Sequence, residues 1–236
     1  MALTERVALH AGRLSGRTIP RGRLALYLAI AGVLLVLAVP AVSYYRAIVA
    51  PSNAWVSRVD GDTVMTRGDL VHAVVVRQML SEAPTDLSSL SGAPFLVAQQ
   101  SVRNELTRRG ASSMGIVVTA SDVEAAVRER FYPTTRPGEQ SSTAELDQAY
   151  RASYTNYLGE RGVSHDDYRG TVETRLYRER MIAAMPGGVA ELEAWLTERW
   201  AALAAEVRLD SDVYAQVIAD VRAALPRSFP EAQGVR

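Results

Sequence analysis

From Leu24 to Val42 every position is apolar or small, and only Gly32 and Pro40 interrupt the run. Nineteen residues at about 1.5 Å each reach about 28 Å, close to the hydrocarbon thickness of a bilayer. The run exceeds an ordinary secretory h-region of about 7–15 residues. It therefore predicts an uncleaved signal anchor over residues 24–45. A cleaved signal peptide is the rival reading, because Ala38 and its small neighbours suit a peptidase. Beyond the run the pattern changes period. Trp55-Val56-Ser57-Arg58-Val59 alternates, Asp60-Gly61 is a two-residue turn signal, and Asp62-Thr63-Val64 resumes. That combination predicts a β-hairpin.

Helical spacing follows. Thr66-Arg67-Gly68-Asp69 matches a capping box, with Leu70, Val71, Val74, Val75 and Met79 as the apolar stripe. Residues 81–94 are rich in Ser, Pro and Gly and read as a loop. A second helix is expected from Pro94 to Arg109, with Phe95, Ala98, Val102 and Leu106 on its buried face and Gly110 as its stop. Thr119-Ala120-Ser121-Asp122 opens a short helix to Arg130, before a Pro/Gly/Ser loop at 132–141. Ser142-Thr143-Ala144-Glu145 opens another, ending at Gly162. Ser164-His165-Asp166-Asp167 caps one that reaches Met185, where Pro186-Gly187-Gly188 breaks the chain. A helix over Val189–Ala205 carries Leu192, Trp195, Leu196, Trp200 and Leu203. Glu206–Asp210 alternates like a strand, and a weak helix is expected near Val213–Leu225. An isolated hairpin is marginal in water, so the closing strand is expected to pair with the opening hairpin.

The division that results is a leader at 1–23, an anchor at 24–45, a linker at 46–54, a mainly α-helical module with a small sheet at 55–210, and a tail at 211–236. The leader holds Arg6, Arg13, Arg17, Arg21 and Arg23 against Glu5 alone. That excess predicts a cytoplasmic N-terminus and an extracytoplasmic module, with Tyr44 and Tyr45 at the far interface.

Charge and composition exclude several classes. The 26 basic and 26 acidic residues cancel, so nucleic acid has no electrostatic footprint to recognise. A hydrophobic share of 48% argues for a packed core over disorder. With no cysteine, disulfides, thiolate catalysis and cysteine metal sites are out of reach. His10, His72 and His165 show no ligand-like spacing, so neither a metal site nor a His-based catalytic group is expected. Asp166-Asp167 reads as acids complementing a helix dipole. No phosphate-binding glycine loop is present, and no cofactor is expected.

The order of parts resembles the N-terminal module of SurA-type and PrsA-type extracytoplasmic chaperones. Residues 55–70 are similar to that module's hairpin and first helix start, and Arg103-Asn104-Glu105-Leu106 with Arg108-Arg109-Gly110 to its second helix. Residues 118–127 resemble the short helix after it, and Gly162–Arg169 onward to Met185 the segment preceding a parvulin prolyl isomerase domain. Leu192–Leu196 with Glu206–Asp210 resembles the closing helix and strand. The resemblance covers about 55–210. It departs where the isomerase domain would sit, since only Pro186-Gly187-Gly188 stands there, and residues 110–117 are longer than the pattern. The resemblance implies a non-enzymatic chaperone for unfolded or secreted polypeptides, tethered to the lipid bilayer. The alternative is an accessory subunit that docks in a larger membrane complex. Adaptable apolar side chains suit varied clients, which makes Tyr150, Tyr154, Tyr157, Met181, Met185, Trp195 and Trp200 the candidate client-binding residues. Helical stripes ordinarily pack inward, so a core role is the competing expectation for each.

Overall fold

The structure, a computed structural model, describes residues 34, 36–38, 52–81, 90–134 and 142–225. The chain divides into two units, 1–50 and 51–236. Of the first, Leu34, Val36, Leu37 and Ala38 are described; they are helical and exposed. No helix among the described residues is long and apolar enough to cross a membrane. The expected span of 24–42 lies mostly outside them.

In the second unit, β1 (Trp55–Val59) and β2 (Asp62–Thr66) form the hairpin. Asp60 and Gly61 both take positive φ, 55° and 80°, as a tight turn between right-twisted strands requires. Then come α1 (Arg67–Leu80), α2 (Ala93–Ser113), α3 (Ala120–Phe131), α4 (Thr143–Arg161), α5 (His165–Ala184), α6 (Gly188–Ala202), β3 (Glu206–Val207) and α7 (Ser211–Ala224). Sheet order is β2-β1-β3, with both pairings antiparallel. A mainly helical fold with one small three-stranded sheet is what the sequence patterns predict. Val207 pairs with Ser57, and the Arg208 N–H donates to the Val56 carbonyl at 2.8 Å.

Four helix starts follow the sequence signals. Thr66, Thr119 and Ser142 form reciprocal capping boxes with Asp69, Asp122 and Glu145, and the Ser164 hydroxyl accepts from the Asp167 N–H. Gly162 ends α4 in the left-handed conformation, at φ 63°.

Three expectations are corrected. First, α2 does not stop at Gly110; it runs on to Ser113 and turns at Gly115, φ 71°. Gly110 is instead a close-packing position, since a Cβ there would lie 2.3 Å from the Trp195 ring. Second, α6 ends at Ala202, before Ala205. Its last turn is tied to the hairpin, because the Asp60 N–H donates to the Leu203 carbonyl at 2.8 Å. Third, the module does not end at 210. Val217 and Val221 of α7 are fully buried in the core shared by β1, α1 and the start of α2. Arg67 reaches Gln216 and Asp220 at 2.6 and 2.5 Å, which locks α7 to the start of α1.

The core has three parts. The cluster just described includes Val56, Leu70, Val74 and Ala98. A second joins Val59 to α2, α5 and α6 through Val102, Leu106, Met181, Leu192 and Leu196. A third holds α3, α4 and α5 together through Val123, Val127, Tyr150, Tyr154, Tyr168 and Val172. Val207 packs against the first two, so the short closing strand sits where they meet.

Candidate functional site

Along α2, Ser101, Asn104, Glu105 and Arg108 recur at i, i+3, i+4 and i+7. Along α5, Gly170, Glu173, Thr174 and Tyr177 recur at the same spacing. That spacing aligns side chains on one helix face. The two faces line one groove of about 340 Å³, which Val64 of β2 completes and to which neither β1 nor β3 contributes a residue. A second hollow of about 550 Å³ shares Arg108 and Tyr177 with the first and adds Arg109, Ser112, Ile116 and Val117. The two form a trough that is polar beside β2 and more apolar beyond Tyr177. Val117, at that apolar end, is 61% exposed.

The trough's charges are organised. Burial would raise the Glu105 carboxyl, but hydrogen bonds from Arg109 and Arg108 outweigh it and hold the group below the usual carboxylate range. Arg109 also pairs with Asp62 at 3.1 Å, linking α2 to the hairpin. Glu173, exposed on the groove wall, forms no ion pair among the described residues. At the apolar end Arg180 hydrogen-bonds the Val117 carbonyl and pairs with Asp122 at 2.8 Å, which fixes residues 116–119 against α5. Hydrogen-bonding groups beside an apolar end are what an extended chain needs, since it offers backbone donors and acceptors together with side chains.

The client-binding candidates lie elsewhere. Tyr150 and Tyr154 are each 8% exposed and Tyr157 is half-buried. All three pack in an aromatic cluster; the Phe131 ring stands 5.2 Å from Tyr154 and 5.0 Å from Tyr157. The Tyr150 hydroxyl donates to Glu124 at 2.9 Å, and burial with this carboxylate pushes its pKa up to about 12. Met181 is fully buried and Met185 nearly so, while Trp195 and Trp200 are half-buried in the same α2–α5–α6 core. None of the seven lines the trough. Their helical stripes pack inward, and a buried ring or thioether cannot reach a client while that packing holds.

No motif or capping signal in the sequence singles out the residues that do line the trough. The usable signal was negative: in each helix a second face at helical spacing carries small or polar residues where another helix lies alongside.

His72 and His165 are each hydrogen-bonded to a side chain of another element. His72 Nε2 lies 2.6 Å from Asp167 Oδ1, and the Ser164 hydroxyl donates to Asp167 Oδ2 at 2.5 Å. The carboxylate therefore stands between hydroxyl and imidazole, whereas nucleophile activation needs the imidazole in the middle. The Tyr154 hydroxyl and His165 Nδ1 are hydrogen-bonded at 2.9 Å. His10 lies outside the described residues. No group of three or more metal-ligating side chains occurs among the described residues. In comparisons with known proteins, no family model, no curated protein and no solved structure matches the chain.

Proposed function

We propose that the module holds unfolded or translocating polypeptides by reversible, non-covalent binding, close to the membrane that its N-terminal segment enters. The observation that carries this reading is the trough between α2 and α5. It is open, polar along the sheet and apolar at Val117. The resemblance to SurA-type modules supports it, and so does the closing strand that returns to the hairpin. No prolyl isomerase step is assigned, because the turn from α5 to α6 spans only Met185–Gly187. Neither nucleotide nor metal enters the proposal; holding works by mass action on the unfolded state.

A second reading, a docking subunit of a membrane complex, draws on the adjacent exposed side chains Phe95 and Leu96, at 48% and 52%. A fixed apolar contact suits one permanent partner better than many clients.

Light scattering during aggregation of a chemically denatured model protein separates the two. The chain in several-fold excess is expected to slow aggregation with or without ATP. Unchanged scattering would favour the subunit.

A further inference from the structure

The sheet leaves β2 at its edge, with no strand on its outer side among the described residues. Alternate residues of an edge strand turn their N–H and C=O groups away from the sheet, ready for another strand. Strand β2 itself borders a groove, to which it supplies Val64 while the more central β1 supplies nothing.

The opposite wall carries a second clue. Gly170 sits well inside α5, where glycine is the least favourable residue after proline. Most such glycines repay inspection of their neighbours. Gly110 of α2 is explained by the Trp195 ring, which a Cβ would strike. Around Gly170 nothing lies within 4 Å of where a Cβ would stand. No packing among the described residues accounts for it. Gly159 of α4 is equally open but lines neither hollow, whereas Gly170 lines the groove and leaves room there for another backbone to approach. The third clue is Glu173, one turn further along the same wall and free of any ion pair among the described residues.

We propose that an extended polypeptide segment adds to the outer edge of β2 as a fourth strand, passing over Gly170 with a basic side chain set against Glu173. The inference rests on the polypeptide-holding reading and gives it a mode. Backbone hydrogen bonds supply sequence-tolerant affinity, and the carboxylate selects lysine or arginine at one alternate position. Small or hydroxyl side chains fit the remaining groove positions, which are lined by Ser101, Asn104 and Thr174; these are themselves bonded to Ser57 and the Ala98 carbonyl, to Gln100 and to the Gly170 carbonyl.

The test is fluorescence anisotropy with the full chain in nonionic detergent. The probe is a short fluorescein-labelled peptide of alternating threonine and valine with a central lysine. Gly170→Phe places a ring in the open space and removes the helix's glycine, so the fold is expected to persist, which circular dichroism and the melting temperature verify. Binding to this variant is expected to weaken by about tenfold or more. Glu173→Gln is expected to weaken the lysine peptide and to leave a version with methionine in place of lysine unaffected. Peptides N-methylated on alternate residues should differ by register, one losing binding and the other keeping it.

Equal binding by Gly170→Phe and the wild type would refute the site while leaving the holding function standing. Equal binding by both N-methylated registers would refute strand addition. A wild type that slows aggregation but ignores the peptide would refute the proposed mode. A wild type that does neither would remove both the mode and the function it rests on.

Discussion

Gly110 and Trp195 are fitted to each other. A Cβ built on Gly110 would stand 2.3 Å from Trp195 Cη2 and 2.7 Å from Cζ2, with the Met181 methyl at 3.2 Å. The α2–α6 contact is therefore closed by an indole lying on bare backbone. Helix α2 continues through a residue that costs about 1 kcal/mol relative to alanine, because the ring's burial more than offsets it.

Gly110→Ala should accordingly destabilise, against its helix propensity. Overpacking of this kind costs roughly 1–3 kcal/mol. The melting temperature is expected to fall, and pairing the change with Trp195→Leu should recover part of the loss, since the two sites couple. A rise in melting temperature on Gly110→Ala alone would show that the ring moves away freely.

Acid should weaken the α3–α5 contact in a defined window. A hydrogen bond from Arg180, then those from the Thr119 backbone and hydroxyl, lowers the Asp122 pKa from 3.8 to about 2. The folded state thus favours the ionised form. Its contribution is present above the unfolded pKa of 3.8 and is lost as pH falls towards about 2. Across that window the melting temperature of the wild type should fall more steeply than that of Asp122→Asn. Parallel curves would show that the carboxylate is not coupled to folding.

Closure of the module by β3 is testable in the same way. Ala205, Val207 and Leu209 are half-buried, while Glu206, Arg208 and Asp210 between them are exposed. Half-burial of Val207 and Leu209 contributes on the order of 1 kcal/mol each. The double change Val207→Asp with Leu209→Asp adds the cost of desolvating two carboxylates. A sharp drop in melting temperature and faster proteolysis near the hairpin are expected. An unmoved melting curve would mean the segment is a solvated tail.

Local signals made much of this fold legible. The Asp60-Gly61 turn, the capping hydroxyls at Thr66, Thr119, Ser142 and Ser164, and the stop at Gly162 all act within a few residues, so a linear reading finds them. Gly110 misleads because its partner lies 85 positions away, and a glycine that ends a helix looks the same in sequence as one that admits a ring. Helix α7 reads as a tail because its Val213, Val217 and Val221 stripe is short, and nothing local shows that α1 will cover it. The trough was illegible for a related reason. Ser101, Asn104, Glu173 and Thr174 look like solvated helix faces until the packing of α2 on α5 sets them across one groove.

The topology expected from the leader's arginines has a clean probe, because the natural chain has no cysteine. In intact cells a membrane-impermeant thiol reagent is expected to label Gln140→Cys and to spare His10→Cys. The reverse pattern would overturn the assignment of the module to the extracytoplasmic side.

Passive binding of unfolded chains is measured by comparing two forms of one client. A labelled polypeptide that is folded in one variant and permanently unfolded in another is titrated with the full chain. Saturable binding to the unfolded form alone, unchanged by ATP, is the expected result. No binding to either form, or equal binding to both, would contradict it.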